Sequence, residues 1–304
     1  CCGPAALSQE GAAQKFRRPA PRAKAREKFA QNRTDVDYRK ERDIAIEAAR
    51  RAGRLIRARA GTVAADDVRE KGRNDLVTAT DEEAQRLITS ALNDAFPDYE
   101  ILAEEGESLD GVEAVADGYR WIVDPLDGTT NFTFDAPPYA VSIALQRGAD
   151  VVVGVVLDVA DDVLYAATRG GGAYRNGAPM RVAAPDALRH SLIATGFPFR
   201  TLKNLDPYLD VVGAFVEASR GVRRLGSAAI DLALVACGRF TGFFETGLSP
   251  WDVAAGVLLV EEAGGRVTDF RGRPDVLFTR QIVASNGAIH EEMLDVVRPI
   301  RDLC

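Results

Sequence analysis

Cysteine and histidine are scarce in these 304 residues, and both scarcities exclude chemistry. The four cysteines, Cys1, Cys2, Cys237 and Cys304, form no CxxC pair and have no histidine beside them, which argues against a structural zinc site and a disulfide framework. The two histidines, His190 and His290, are too few for an imidazole-rich metal centre, and a lone histidine in a helix or loop is usually structural. Long apolar runs are also missing. The longest, 151–157 and 253–260, fall far short of the roughly 18 to 20 residues that cross a bilayer, so no membrane contact is expected.

With 46% hydrophobic and 27% charged residues, the composition is that of a folded protein with one large core or two modest ones. Charge is unevenly spread. Residues 1–42 hold 11 Lys+Arg against 5 Asp+Glu, and the rest hold 27 against 40, a basic start on an acidic body. An acidic body is a poor match for phosphate backbones, so its partners are expected to be small molecules or cations. Residues 1–35 lack apolar periodicity and the apolar core of a secretory signal, and are expected to form a flexible basic extension. Three uses stay open for it: a dispensable extension, a basic arm for an acidic partner such as nucleic acid or a transcription complex, and a lipid anchor through Cys1. A reducing, cytoplasmic setting is expected.

Small and aliphatic residues recur at helical spacing over 38–60, and a second helix is expected from Asp81, at its start, to Phe96 before Pro97. Short strands are expected at 100–103 and 119–123, and alternating β-rich runs over 140–173 predict antiparallel sheet. Helices at 205–218, 228–237, 251–263 and 289–297 then alternate with strands at 240–245 and 281–285.

The segment WIVDPLDGTTNF, 121–132, is an apolar strand that runs into two acids. A buried strand with that ending is costly unless a cation sits there. Pro125 bends the chain, Gly128 permits a tight turn, and Asp124, Asp127 and the intervening carbonyl can then address one centre, a hard oxygen set suited to magnesium. Further acids stand at comparable places: Glu104 and Glu105 after an apolar strand end, Asp252 at a helix start, Asp75 and Asp81 around LVTAT. Each alone has a plainer reading as a turn, a cap or a helix-start charge.

Taken together, DLVTATD (75–81), AEEG (103–106), DPLDGTTNF (124–132) and PWDVAAG (250–256) resemble, in order and spacing, the signature blocks of the inositol monophosphatase family of magnesium-dependent, lithium-sensitive phosphatases, bacterial inositol-1-monophosphatases above all. The resemblance spans about 37–297. It implies an α/β (α+β) fold, a layered αβαβα sandwich of the sugar-phosphatase type. Residues 36–304 would be one catalytic domain with sub-lobes near 36–185 and 186–304, paired in a homodimer.

By the same resemblance, Glu104, Asp124, Asp127 and Asp252 with the Leu126 carbonyl would bind two or three Mg²⁺ ions. Thr129, Asp81 and Glu104 would be catalytic, holding the attacking water, and Asp75 would be structural. Gly128, Thr129, Gly226, Ser227, Ala228, Glu245 and Asp252 would contact substrate, Glu245 taking hydrogen bonds from ring hydroxyls. The implied reaction is hydrolysis of inositol monophosphate or a related polyol phosphate by metal-activated water. Hydrolysis of 3′-phosphoadenosine 5′-phosphate, fructose 1,6-bisphosphate or histidinol phosphate is the alternative within the family. A transcription-complex binding protein with residual phosphatase activity is the alternative from another class.

Overall fold

The computed structural model describes residues 36–63, 68–72, 75–106, 118–198 and 205–302, and the expected flexible extension at 1–35 lies outside them. Helix α1 (Arg39–Arg59) is followed by an antiparallel hairpin of β1 (Val68–Gly72) and β2 (Asp75–Thr78), then by α2 (Ala79–Ala95). A sheet of seven strands comes next, its spatial order the same as its chain order: β3 (Glu100–Ala103), β4 (Tyr119–Asp127), β5 (Ala140–Arg147), β6 (Asp150–Asp158), β7 (Val163–Thr168), β8 (Gly172–Arg175) and β9 (Ala178–Pro179). Only β3 and β4 pair in parallel. A short helix, α3 (Thr129–Thr133), links β4 to β5.

The second half contributes β10 (Ile193–Thr195), α4 (Leu205–Ala218), β11 (Val222–Arg223), α5 (Ala228–Ala236), β12 (Gly242–Thr246), α6 (Pro250–Glu262), β13 (Arg266–Thr268), β14 (Gln281–Ser285) and α7 (His290–Val297). Its strands form a mixed sheet in the order β11-β10-β12-β14-β13.

Period-two alternation in the strands assigns each face to a different core. Trp121 and Val123 of β4 pack with Ala45, Ala52 and Ile56 of α1 and Ile88 of α2, whereas Ile122 turns to the opposite core, shared with α5 and α6. On β12, Phe243 joins that same central core, and Phe244 joins Tyr208 and Phe215 of α4 and Met293 of α7. The layers are therefore helices, sheet, helices, sheet, helices: the αβαβα arrangement expected from the sequence. Being covered on both sides, α5 and α6 are apolar nearly all round.

Close approach of α6 to the large sheet depends on Gly154 of β6. A Cβ there would lie 2.7 Å from the Ala255 carbonyl oxygen, so Gly154→Ala should cost about 1 to 3 kcal/mol of stability, read as a lower urea midpoint. An unchanged midpoint would show that α6 moves away freely.

The structure differs from the sequence expectation in several places. The first three residues of LVTAT belong to strand β2 and its last two open α2, and β10, β11 and β13 were not anticipated; with two to four residues each, these strands are too short to show alternation. Asp81 is not the cap of α2. That position belongs to Thr78, and Asp81 is the third residue of the helix. His290 is fully buried between Ser285 Oγ, 2.8 Å from Nδ1, and Thr268 Oγ1, 2.9 Å from Nε2, and burial lowers its pKa to about 4. Its role is structural.

Candidate active site

Asp124 and Asp127 stand three residues apart, a spacing that in a regular strand sends side chains to opposite faces. In the register of β4 with β5, Asp124 is opposite Ser142 and Asp127 opposite Ala140, so Pro125 and Leu126 together face Val141. This one-residue bulge rephases the strand and turns both carboxylates the same way. Pro125 fits a bulge because it has no N–H to leave unpaired. The Leu126 N–H donates to Asp124 Oδ1 at 3.0 Å and fixes that carboxylate.

Gly128 follows in the left-handed region, φ 94°, where a Cβ would come within 3.2 Å of the Pro138 carbonyl oxygen and 3.3 Å of that of Gly226. The tight turn starts α3 at Thr129. Thr129 Oγ1 lies 2.9 Å from Asp81 Oδ1 and 3.0 Å from the Leu126 carbonyl oxygen.

Two of the acids are third residues of helices. Asp81 Oδ2 accepts from the Thr78 N–H at 2.9 Å and the Thr78 hydroxyl at 2.6 Å; Asp252 Oδ2 accepts from the Ser249 N–H at 2.7 Å. In Asp252 the helix-start role and a place in the acidic cluster coexist. Asp127 Oδ2 is held across the layers by Ser227 Oγ at 2.6 Å and the Ala229 N–H at 2.8 Å, at the first turn of α5. The Glu104 N–H donates to the Val123 carbonyl at 3.1 Å, which sets the end of β3 beside that of β4.

Carboxylate oxygens of Asp124, Asp127 and Asp252 lie within 4.8 Å of one another. Burial pushes the Asp124 carboxyl well above its usual range, and Glu104, Asp127 and Asp252 raise it further. Burial also carries Asp127 to about 6, against the opposing pull of its bonds to Ser227 and Ala229. Asp81 is raised by burial too, opposed by Thr78 and Thr129. Such a desolvated, all-oxygen set fits a hard divalent cation, whose charge would favour the ionised carboxylates.

A cavity of about 490 Å³ opens over this cluster. Glu104, Asp124, Leu126, Asp127, Gly128, Thr129, Gly226 and Asp252 line it, all named by the sequence. Asp81, Ser227, Ala228 and Glu245 are not on its wall: Asp81 and Ser227 support Thr129 and Asp127 from behind, and Ala228 is buried in the central core. Glu245 rests its carboxylate on Gly196, where a Cβ would come as close as 2.0 Å. The Asp75 side chain lies outside the described residues.

Four residues outside the signature blocks escaped the sequence reading. Glu70, Phe134 and Arg224 line the cavity, and Asp231 of α5 is buried with Oδ1 lacking a hydrogen-bond partner, its pKa raised by burial and then by Glu245 and Asp127. Glu70 carries a weak signal. The hairpin residue Arg69 pairs with Glu82 of α2, so by alternation Glu70 must face the other way.

A family model described as the inositol monophosphatase family matches residues 37–301. Nus factor SuhB of Pseudomonas aeruginosa is 44% identical over 259 residues, covering 84% of this chain and 95% of the relative. An inositol-1-monophosphatase of Mesorhizobium japonicum is 43% identical over 256 residues, with 84% and 95% covered. The solved inositol monophosphatase of Anabaena superposes with a TM-score of 0.77 at 38% identity, covering 86% of this chain and 97% of that one. The match takes in every element from α1 to α7 as well as the four acidic blocks, and on both counts the chain belongs to the inositol monophosphatase family.

Proposed function

We propose that the chain is a magnesium-dependent phosphomonoesterase that hydrolyses inositol monophosphate or a related polyol phosphate to the free alcohol and phosphate. The observation that carries the reading is the convergence of Asp124, Asp127 and Asp252 oxygens within 4.8 Å at the floor of a cavity large enough for a small ester. Glu104, Asp124, Asp127, Asp252 and the Leu126 carbonyl would hold two or three cations. When bound, these ions supply charge neutralisation for the phosphate and lower the pKa of a water.

The chain's own groups do the rest. Thr129 donates its hydroxyl hydrogen to Asp81 and so offers lone pairs toward the cavity, where they accept from a water and orient its oxygen toward the phosphorus. Asp81, held at one oxygen by Thr78, keeps that hydroxyl from rotating. Gly128, Thr129 and Thr130 at the start of α3 line the same space with Arg224, and their amides and its guanidinium would complement phosphate charge.

By the family resemblance Glu245 would take hydrogen bonds from ring hydroxyls; its carboxylate lies off the cavity wall against Gly196, so that contact needs a substrate reaching past the lining residues, and the ester can be read through it. Glu245→Gln should lower kcat/KM for inositol 1-phosphate about 10-fold or more, and for 4-nitrophenyl phosphate much less, because a carboxylate accepts hydrogen bonds that a ring without hydroxyls cannot give. Equal losses would move Glu245 out of the polyol contact. Assaying 3′-phosphoadenosine 5′-phosphate, fructose 1,6-bisphosphate and histidinol phosphate beside these esters decides among the family's substrates.

A second reading draws on the Nus factor name of the Pseudomonas relative and the basic charge of residues 1–42: contact with a transcription complex. Deleting residues 1–35 separates the two, since phosphate release should persist and only such contact should be lost.

A further inference from the structure

The chemistry of phosphate and cation does not explain two apolar side chains, Leu76 and Phe134, on the wall of the cavity. Phe134 lines it and is 74% exposed, the most exposed large hydrophobic residue described. Two residues earlier, Phe132 is fully buried against the ring of Tyr139 at 5.4 Å, so the α3 turn sends one phenylalanine into the core and the next into the cavity mouth.

The backbone beneath Phe134 is firmly held. The N–H groups of Phe134, Asp135 and Ala136 donate to the carbonyls of Thr130, Phe132 and Asn131 at 3.1, 3.1 and 2.8 Å. Asn131 Nδ2 then donates to the Pro138 carbonyl at 2.7 Å and the Leu225 carbonyl at 2.8 Å, tying the turn to the loop that carries Arg224 and Gly226. An aromatic ring on such a support loses little freedom when something covers it.

We propose that Phe134 is a specificity-determining residue: a stacking platform at the cavity mouth for an aromatic ring carried by the alcohol half of the phosphomonoester. The proposal rests on the phosphatase reading above. Polar groups on the wall hold the ester's phosphate end, so whatever lies over Phe134 belongs to the leaving alcohol. A flat ring covers its exposed face and a second π-system gains from offset stacking, whereas an acyclic polyol covers little of it. Arg224, which also lines the cavity, has its guanidinium 5.8 Å from the centre of the Phe197 ring. Adenosine 2′-phosphate and 4-nitrophenyl phosphate both carry this chemistry, one through a ribose and one directly at the ester oxygen.

Steady-state phosphate release by the full chain and by Phe134→Ala and Phe134→Trp, with those two esters and with glycerol 2-phosphate, tests it. KM for at least one ring-bearing ester should rise about 10-fold in Phe134→Ala, the scale of one aromatic stacking contact, with kcat little changed, and should recover in Phe134→Trp. The ester that responds tells whether the ring sits at the ester oxygen or one sugar away. Glycerol 2-phosphate should change less than about twofold. Equal KM shifts for all three esters, or none for either ring-bearing one, would overturn the proposal while leaving the phosphatase intact. Failure of the unaltered chain to release phosphate from any of them would overturn both.

Discussion

Phosphate release should fall about 10²- to 10⁴-fold in Asp124→Asn or Asp127→Asn, with the fold retained. Asparagine keeps the shape of each side chain and an oxygen that accepts from the same donors, the Leu126 N–H for position 124 and Ser227 with Ala229 for position 127. Only the charge is lost, and charge is what a cation cluster needs. Asp124 is 1% exposed and sits among Glu104, Asp127 and Asp252, so the variant also relieves repulsion among acids in the metal-free protein. Its Tm without metal should be no lower than that of the parent, and added magnesium should raise Tm less. Near-normal turnover in both variants would remove these acids from the reaction.

Asp252→Asn should show a mixed effect. Turnover should drop about 10²-fold or more because Asp252 belongs to the three-oxygen cluster. Stability should also fall by about 1 kcal/mol, because the Ser249 N–H loses a charged acceptor and the first turn of α6 loses its acid. Urea unfolding and steady-state kinetics on the same preparation separate the two roles. A stability loss with unchanged turnover would make Asp252 a helix-start residue alone.

Legibility in the sequence followed how local each feature is. The strand ending in Asp124 and Asp127 was readable because apolar run, proline and glycine lie side by side, and the bend expected at Pro125 proves to be a bulge within a strand that continues to Asp127. The layered fold came through the resemblance of four blocks rather than through periodicity, which gave α1, α4 and the β5 to β7 run but gives no order for the five-stranded sheet. Three strands of that sheet hold two or three residues, and their pairing is decided by neighbours far along the chain.

The cavity wall was half hidden for the same reason. Glu70 sits in a charged hairpin, Arg224 in a pair of arginines, and Phe134 two residues beyond the end of a signature block, so each reads locally as surface or core. Asp231 lies inside an apolar helical run and is marked only by the three-dimensional nearness of Glu245 and Asp127. Glu245 shows the opposite case. Its motif position was plain, yet its carboxylate lies against Gly196, off the cavity wall.

The central claim is that these carboxylates serve phosphate-ester hydrolysis through a hard cation. Phosphate release from inositol 1-phosphate, followed in chelator and then with magnesium added in excess, tests it most directly. Activity should be absent in chelator, return with magnesium, and be inhibited by lithium as the family resemblance implies. Full turnover in chelator, or no phosphate released at any magnesium concentration, would contradict it.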